Sequence, residues 1–138
     1  GVVPFSPVAS GLLSGKVTAD TKFEGDDVRK FVPQLSKENL AANQSLIEIL
    51  TEFAERKSAS PAQISLAWIL HKYPNAVPIP GSKNQERILE NLGACNVNLT
   101  KEEFEALEAS LDSCKIYGHR GHVETEQKTF SNHWKKEN

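Results

Sequence analysis

The chain has 138 residues, of which 38% are hydrophobic and 25% charged; 16 basic against 18 acidic side chains leave a net charge of −2. These values suit a globular chain of about one domain. They carry no basic excess for a nucleic acid partner, and no apolar run approaches the ~18 residues of a membrane span.

Gly1-Val2-Val3-Pro4 offers neither a basic region nor a cleavage site, so no signal peptide is expected there. Methionine is absent, which points to a chain that starts downstream of its translation start. Cys95 and Cys114 are read as reduced thiols of a cytoplasmic protein, and nothing in their spacing supports a disulfide. Asn43-Gln44-Ser45 and Asn98-Leu99-Thr100 match the glycosylation pattern by chance on this reading.

In chain order, Val2–Phe5 reads as a short buried strand running into a turn. A glycine- and serine-rich loop follows from Ser6 to Lys16. Residues 17–38 are polar and irregular, with a short helix near Asp27–Phe31. Residues 39–57 show helical spacing of Leu46, Ile47, Leu50 and Phe53. Ser60, Pro61 and Gln63 form a capping box with proline at the first helical position, and they open a helix through Trp68 that should be well buried. Tyr73-Pro74-Asn75 ends it. Ala76–Pro80 reads as a second short strand, constrained by two prolines. Ser82-Lys83-Asn84-Gln85 then predicts another capping box, opening a helix to about Ala94 with Ile88, Leu89 and Leu92 as its apolar face. Thr100 and Glu103 cap a last helix that buries Phe104, Leu107 and Leu111, and residues from Lys115 onward are polar and turn-rich. The pattern is α/β, with too few strands for its helices.

The stretch Val77 to Asn91, VPIPGSKNQERILEN, carries the most chemistry. A strand ends in Pro-Gly and a capped helix begins, and helix N-termini present free N–H groups and partial positive charge. Gly81 admits close approach of a ligand, Ser82 adds a hydroxyl, and Lys83 and Arg87 stand four residues apart on one side of the helix start. Together they could hold a phosphate dianion. A capped helix with a solvated basic face accounts for the same residues. The loop FSPVASGLLSGK places small residues at a strand's end, suited to backbone contact with a pyrophosphate; it lacks the P-loop order of Gly, Lys and Ser/Thr, and a plain flexible loop is the competing reading.

Taken in order, FSPVASGLLSGK, SPAQISLAWIL and VPIPGSKNQERILENLGACNVNLTKEEFEAL resemble the C-terminal part of aldo-keto reductases over residues 1–114. The tail IYGHRGHVETEQKTF, in residues 115–138, looks like the C-terminal extension of some bacterial members. The resemblance implies the C-terminal portion of a (β/α)₈ barrel, with residues 2–5 as its seventh strand and 76–79 as its eighth, helix-rich when taken alone. It implies reduction of small carbonyl substrates with NADPH at the C-terminal ends of the strands. By position, Phe5 would stack on the nicotinamide. Ser6, Pro7, Val8, Ser10 and Gly11 would line the pyrophosphate. Ser82, Lys83, Asn84 and Arg87 would hold the adenosine 2′-phosphate, with Gly81 among the cofactor-binding positions, and Glu90 and Asn91 would contact the adenine. Some members have lysine where Gly81 stands, so Lys83 would replace it.

The family's catalytic Asp, Tyr, Lys and His lie on earlier strands and map to no position here, so the chain alone is expected to be inactive. Asp112, Lys115, Tyr117 and His119 supply the same four residue types without placing them at a strand end. His119, His122 and His133, with Glu124 and Glu126, lack a recognised zinc spacing, and no metal is expected. The tail would shape the substrate pocket, with Tyr117, Phe130 and Trp134 as contributors. Two alternatives stand beside this reading: a nucleotide-binding module without catalysis, and a half-barrel that self-associates through an exposed edge.

Overall fold

A computed structural model describes residues 1–121 of the chain. His122, Glu124, Glu126, Phe130, His133 and Trp134 lie outside the described residues.

Among the described residues five α-helices organise the fold: α1 (Lys37–Ala42), α2 (Gln44–Lys57), α3 (Pro61–Lys72), α4 (Gln85–Leu92) and α5 (Lys101–Asp112). The helix expected over 39–57 is therefore two, because Asn43 (φ −89°, ψ 7°) leaves helical geometry between α1 and α2. Its side chain is committed elsewhere. Asn43 is fully buried, and its amide donates to the Tyr117 carbonyl at 2.8 Å while accepting from the Tyr117 N–H at 2.8 Å. Burial and these bonds leave the first glycosylation-like triplet with no accessible amide.

The capping box of α3 forms as the sequence predicts. Ser60 accepts from the Gln63 N–H, and the Gln63 side chain accepts from the Ser60 N–H at 2.9 Å, with Pro61 in the first turn. Thr100 and Glu103 do the same for α5. The apolar faces of α2, α3 and α5 meet in one core of Leu50, Phe53, Ala54, Ile64, Ala67, Leu99 and Leu107, with Trp68, Phe104 and Leu111 packed around it. Lys57 pairs with Glu103 at 2.5 Å and Lys72 with Glu108 at 2.7 Å, tying α2 and α3 to α5.

The two expected strands are reduced to contacts at their ends. Val2 pairs with Ala76 and Phe5 with Ile79, both parallel, and these are isolated bridges among the described residues. Val77 N–H donates to Val2 O at 2.9 Å and Ile79 N–H to Pro4 O at 3.1 Å. Proline explains why no longer ladder forms. Pro4 brings no N–H, so the rung between the Val77 and Ile79 bonds lacks its donor, and Pro78 and Pro80 offer none on the opposite edge. Nor are these segments buried, since Val2, Val3, Phe5, Val77 and Ile79 are all more than half exposed.

The start and apolar face of α4 both depart from expectation. Asn84, not Ser82, is the cap: its side chain accepts from the Arg87 N–H at 3.1 Å, while Ser82 Oγ accepts from the Asn84 N–H at 3.1 Å. Lys83 therefore precedes the helix. Ile88, Leu89 and Leu92 are 48%, 60% and 64% exposed, so their apolar face is left uncovered by the described chain. Beside it runs an apolar groove of about 410 Å³ that includes Leu66, Leu70, Val77, Pro80, Ile88 and Leu92. Amphipathic spacing records that a face must be covered, not that a neighbouring stretch of the same sequence covers it.

No helix among the described residues is long and apolar enough to cross a membrane. Cys95 and Cys114 are free thiols.

Candidate cofactor cleft

The loop after Phe5 is shaped by an unusual run of left-handed backbone. Ser6 (φ 47°), Ala9 (φ 50°) and Ser10 (φ 56°) adopt it alongside Gly11 (φ 101°) and Gly15 (φ 69°). For the three non-glycines this conformation costs about 1–2 kcal/mol per residue, and such strain gathers at working sites. Local bonds hold the loop. Ser10 N–H donates to Ser6 Oγ at 3.3 Å, Gly11 N–H to Val8 O at 3.0 Å, and Ser14 Oγ to Gly11 O at 2.6 Å. Beneath it, Ala9 and Leu12 pack with Leu35 and Leu40 as a second small core. The loop is thus a compact series of turns over Ala9–Ser14, kinked at Ser10 and Gly11, rather than an open connection.

Residues 2–5 and 76–79 run side by side, which brings together the loops at their C-terminal ends. Ser6, Val8, Ser10 and Gly11 from the first loop share one cleft of about 770 Å³ with Gly81, Ser82, Lys83, Arg87, Glu90 and Asn91 from the second segment. Phe5, Pro7 and Asn84 do not line it. Phe5 is 75% exposed, Pro7 points into the interior and is buried, and the Asn84 side chain caps α4. A volume of this size falls within the range of small-molecule sites. At Gly81 a Cβ would meet nothing within 4 Å, so the backbone there faces open space.

The cleft wall also holds residues that the sequence reading passed over. Lys16 ends the first loop, and its Nζ meets Glu90 Oε2 at 3.0 Å, linking that loop to α4. The Glu90 carboxyl is held below the usual carboxylate range, first by a hydrogen bond from Ser60 and then by Lys16, against the opposing effect of burial. Arg29 lies in the wall too, but it is engaged by the Asp27 carboxylate, with Nη2–Oδ2 at 2.5 Å, and stacks 4.6 Å from the centre of the Phe23 ring. That pairing lowers the Asp27 carboxyl to about 2. The lining residues carry four cations, Lys16, Arg29, Lys83 and Arg87, against the single carboxylate of Glu90. In the sequence Lys16 closes a segment read as loop and Arg29 lies inside the short helix expected near Asp27–Phe31, each marked by nothing more than its charge.

Arg120 arrives at the rim of this cleft from the far end of the described chain. Its Nη2 donates to Ser6 O at 2.7 Å and to Phe5 O at 3.3 Å, with the guanidinium 6.0 Å from the Phe5 ring centre. Of the four tail residues with catalytic side-chain types, Asp112, Lys115, Tyr117 and His119, none lines the cleft. Among the described residues no group of His, Cys, Asp and Glu is arranged to hold a metal ion.

A half-open cleft with excess positive charge, strained small-residue backbone on one wall and a helix start on the other has the donor set of an anion-binding surface, suited to a phosphorylated ligand. Comparison with known proteins gives this surface its context. The sequence profile described as the Aldo/keto reductase family matches residues 1–126. A protein named Aldo-keto reductase str7, from Strobilurus tenacellus, is 34% identical over 119 residues, covering 86% of this chain and 35% of that protein. The chain belongs to the aldo/keto reductase family, whose fold is the (β/α)₈ barrel, and it spans about a third of the length of that curated relative.

Proposed function

We propose that this chain is the cofactor-holding portion of an NADPH-dependent aldo-keto reductase that converts aldehydes or ketones to alcohols. The observation that carries the proposal is convergence: two segments some seventy residues apart, each read independently as suited to phosphate, form opposite walls of one cationic cleft. In this reading residues 2–5 and 76–79 are barrel strands seven and eight, and the cleft sits at their C-terminal ends.

The donor set fits the cofactor. Lys83 and Arg87 neutralise the adenosine 2′-phosphate, helped by the Ser82 hydroxyl and the open backbone at Gly81. Ser6, Val8, Ser10 and Gly11 lie along the pyrophosphate, with Pro7 stiffening the turn. Glu90 and Asn91 flank the adenine, Asn84 fixes the helix start, and Phe5 offers a ring to the nicotinamide. Bound there, NADP(H) would supply the hydride that reduces the carbonyl carbon. The acid and its supporting residues would come from parts of a longer protein, so this chain's work is to bind and orient.

Calorimetric titration with 2′,5′-ADP and with 5′-ADP tests the proposal. Tighter binding of the 2′-phosphorylated ligand, lost in Lys83→Ala/Arg87→Ala, supports it. Equal affinity for the two ligands in the unaltered chain refutes the assignment of Lys83 and Arg87.

A second reading, a half-barrel that self-associates, is favoured by one observation: Val77, Ile79, Ile88, Leu89 and Leu92 are all exposed. An apolar surface of that extent is an interaction surface.

A further inference from the structure

We infer that Arg120 is a positioning residue for the cleft: it holds the two peptides that flank Ser6 in the orientation that forms the cleft's rim. The inference rests on the reading of the cleft as a cofactor site, and it adds to that site a residue from the opposite end of the described chain.

Two successive carbonyls, those of Phe5 and Ser6, accept from the same guanidinium nitrogen at 3.3 and 2.7 Å. Two acceptors turned toward one rigid, permanently charged donor fix the backbone on both sides of Ser6. That backbone has need of fixing. Ser6 holds left-handed backbone at φ 47°, which a serine does not favour unaided. Its carbonyl also takes the Ala9 N–H at 3.0 Å and its hydroxyl takes the Ser10 N–H at 3.3 Å, so the orientation of Ser6 sets the next four residues. Ser6, Val8 and Ser10 all face the cleft.

The path that brings Arg120 there is equally determined. Buried Asn43 grips both the N–H and the C=O of Tyr117, as a neighbouring strand would. Gly118 comes next at φ 80°, where a Cβ would lie 2.7 Å from Gln34 Cα, and Gln34 N–H then donates to His119 O at 3.1 Å. These contacts deliver the guanidinium two residues further on.

A residue that merely anchored the tail would affect both halves of the cofactor alike. Among the described residues Arg120 bonds on the Phe5–Ser6 side, so it should govern the nicotinamide and pyrophosphate half and leave the adenosine half alone. The test compares the unaltered 138-residue chain with Arg120→Ala and Arg120→Lys, by amide exchange and by affinity for NADP⁺ against 2′,5′-ADP. In Arg120→Ala, exchange at the Ala9 and Ser10 amides should rise about tenfold with α5 unchanged, and the ratio of NADP⁺ to 2′,5′-ADP affinity should fall about tenfold. Arg120→Lys should recover part of both, since an ammonium can still donate to Ser6 O.

Unchanged exchange at Ala9 and Ser10 overturns the positioning role. Faster exchange with an unchanged affinity ratio overturns its link to the cofactor. If the unaltered chain binds neither ligand, the cofactor reading fails by itself, and the exchange result still decides whether Arg120 positions the two peptides. Should Arg120→Ala loosen α5 as well, Arg120→Lys with α5 intact takes its place in the comparison.

Discussion

Lys83 and Arg87 reach the cleft from different structural positions, one just before the Asn84 cap and one in the first turn of α4. Both are exposed, so each contact with a phosphate is worth about 1 kcal/mol rather than the larger value of a buried pair. Lys83→Ala should therefore weaken NADP⁺ binding roughly fivefold and leave NAD⁺ binding unchanged, as measured by titration of each. Equal losses for both cofactors would mean that Lys83 does not read the 2′-phosphate. Asp27 gives a pH signature. Its carboxyl sits at about 2 against an ordinary 3.8, because Arg29 bonds to its ionised form. Its folded-state pKa is lowered, so its stabilising effect is complete above pH 3.8 and is lost as pH falls from 3.8 toward 2. Carboxyl NMR should show Asp27 titrating about two units below an unstructured aspartate, and Arg29→Ala should return it to the ordinary range.

At the scale of elements, burial sorts leucines that look alike in the sequence. Leu107 on α5 is wholly buried in the main core, while Leu92 on α4 is 64% exposed. Leu107→Ala should cost about 2–5 kcal/mol, and Leu92→Ala should stay within about 0.5 kcal/mol, both read from urea denaturation of the 138-residue chain. A large loss at Leu92 would show that its face is covered in solution. Ser60→Ala should cost about 1 kcal/mol by removing one half of the α3 capping box.

The helix starts at Ser60 and Thr100 were legible because capping is local chemistry, written within a single turn. The start of α4 was misread because Ser82 and Asn84 are both good caps in close succession, and the segment's path past Ser82 chose between them. The break at Asn43 was not legible, since its partner Tyr117 lies 74 residues away. Phe5 was singled out by its position in the family resemblance, whereas Arg120, which reaches its carbonyl from 115 residues away, has no such sign in the sequence.

For the whole molecule, the two walls of the cleft depend on the parallel pairing of residues 2–5 with 76–79, and that pairing is thin. On the proposed division of labour the catalytic groups lie outside this chain, so the 138-residue polypeptide should consume no NADPH with any member of a broad aldehyde panel; turnover would contradict that division. Its exposed apolar face predicts an apparent mass that rises with concentration in sedimentation experiments, and a strictly monomeric chain would remove the self-association reading. Most of the candidate site was visible in the sequence as two separate stretches, but their convergence is a property of the fold. The measurement that bears most directly on it is ¹⁵N chemical-shift mapping of the chain titrated with NADP⁺. Coincident saturating shifts at Ser6–Gly11 and at Gly81–Asn91 are predicted from a single binding event. Shifts confined to one segment, or two segments saturating at different concentrations, would contradict a single cofactor cleft.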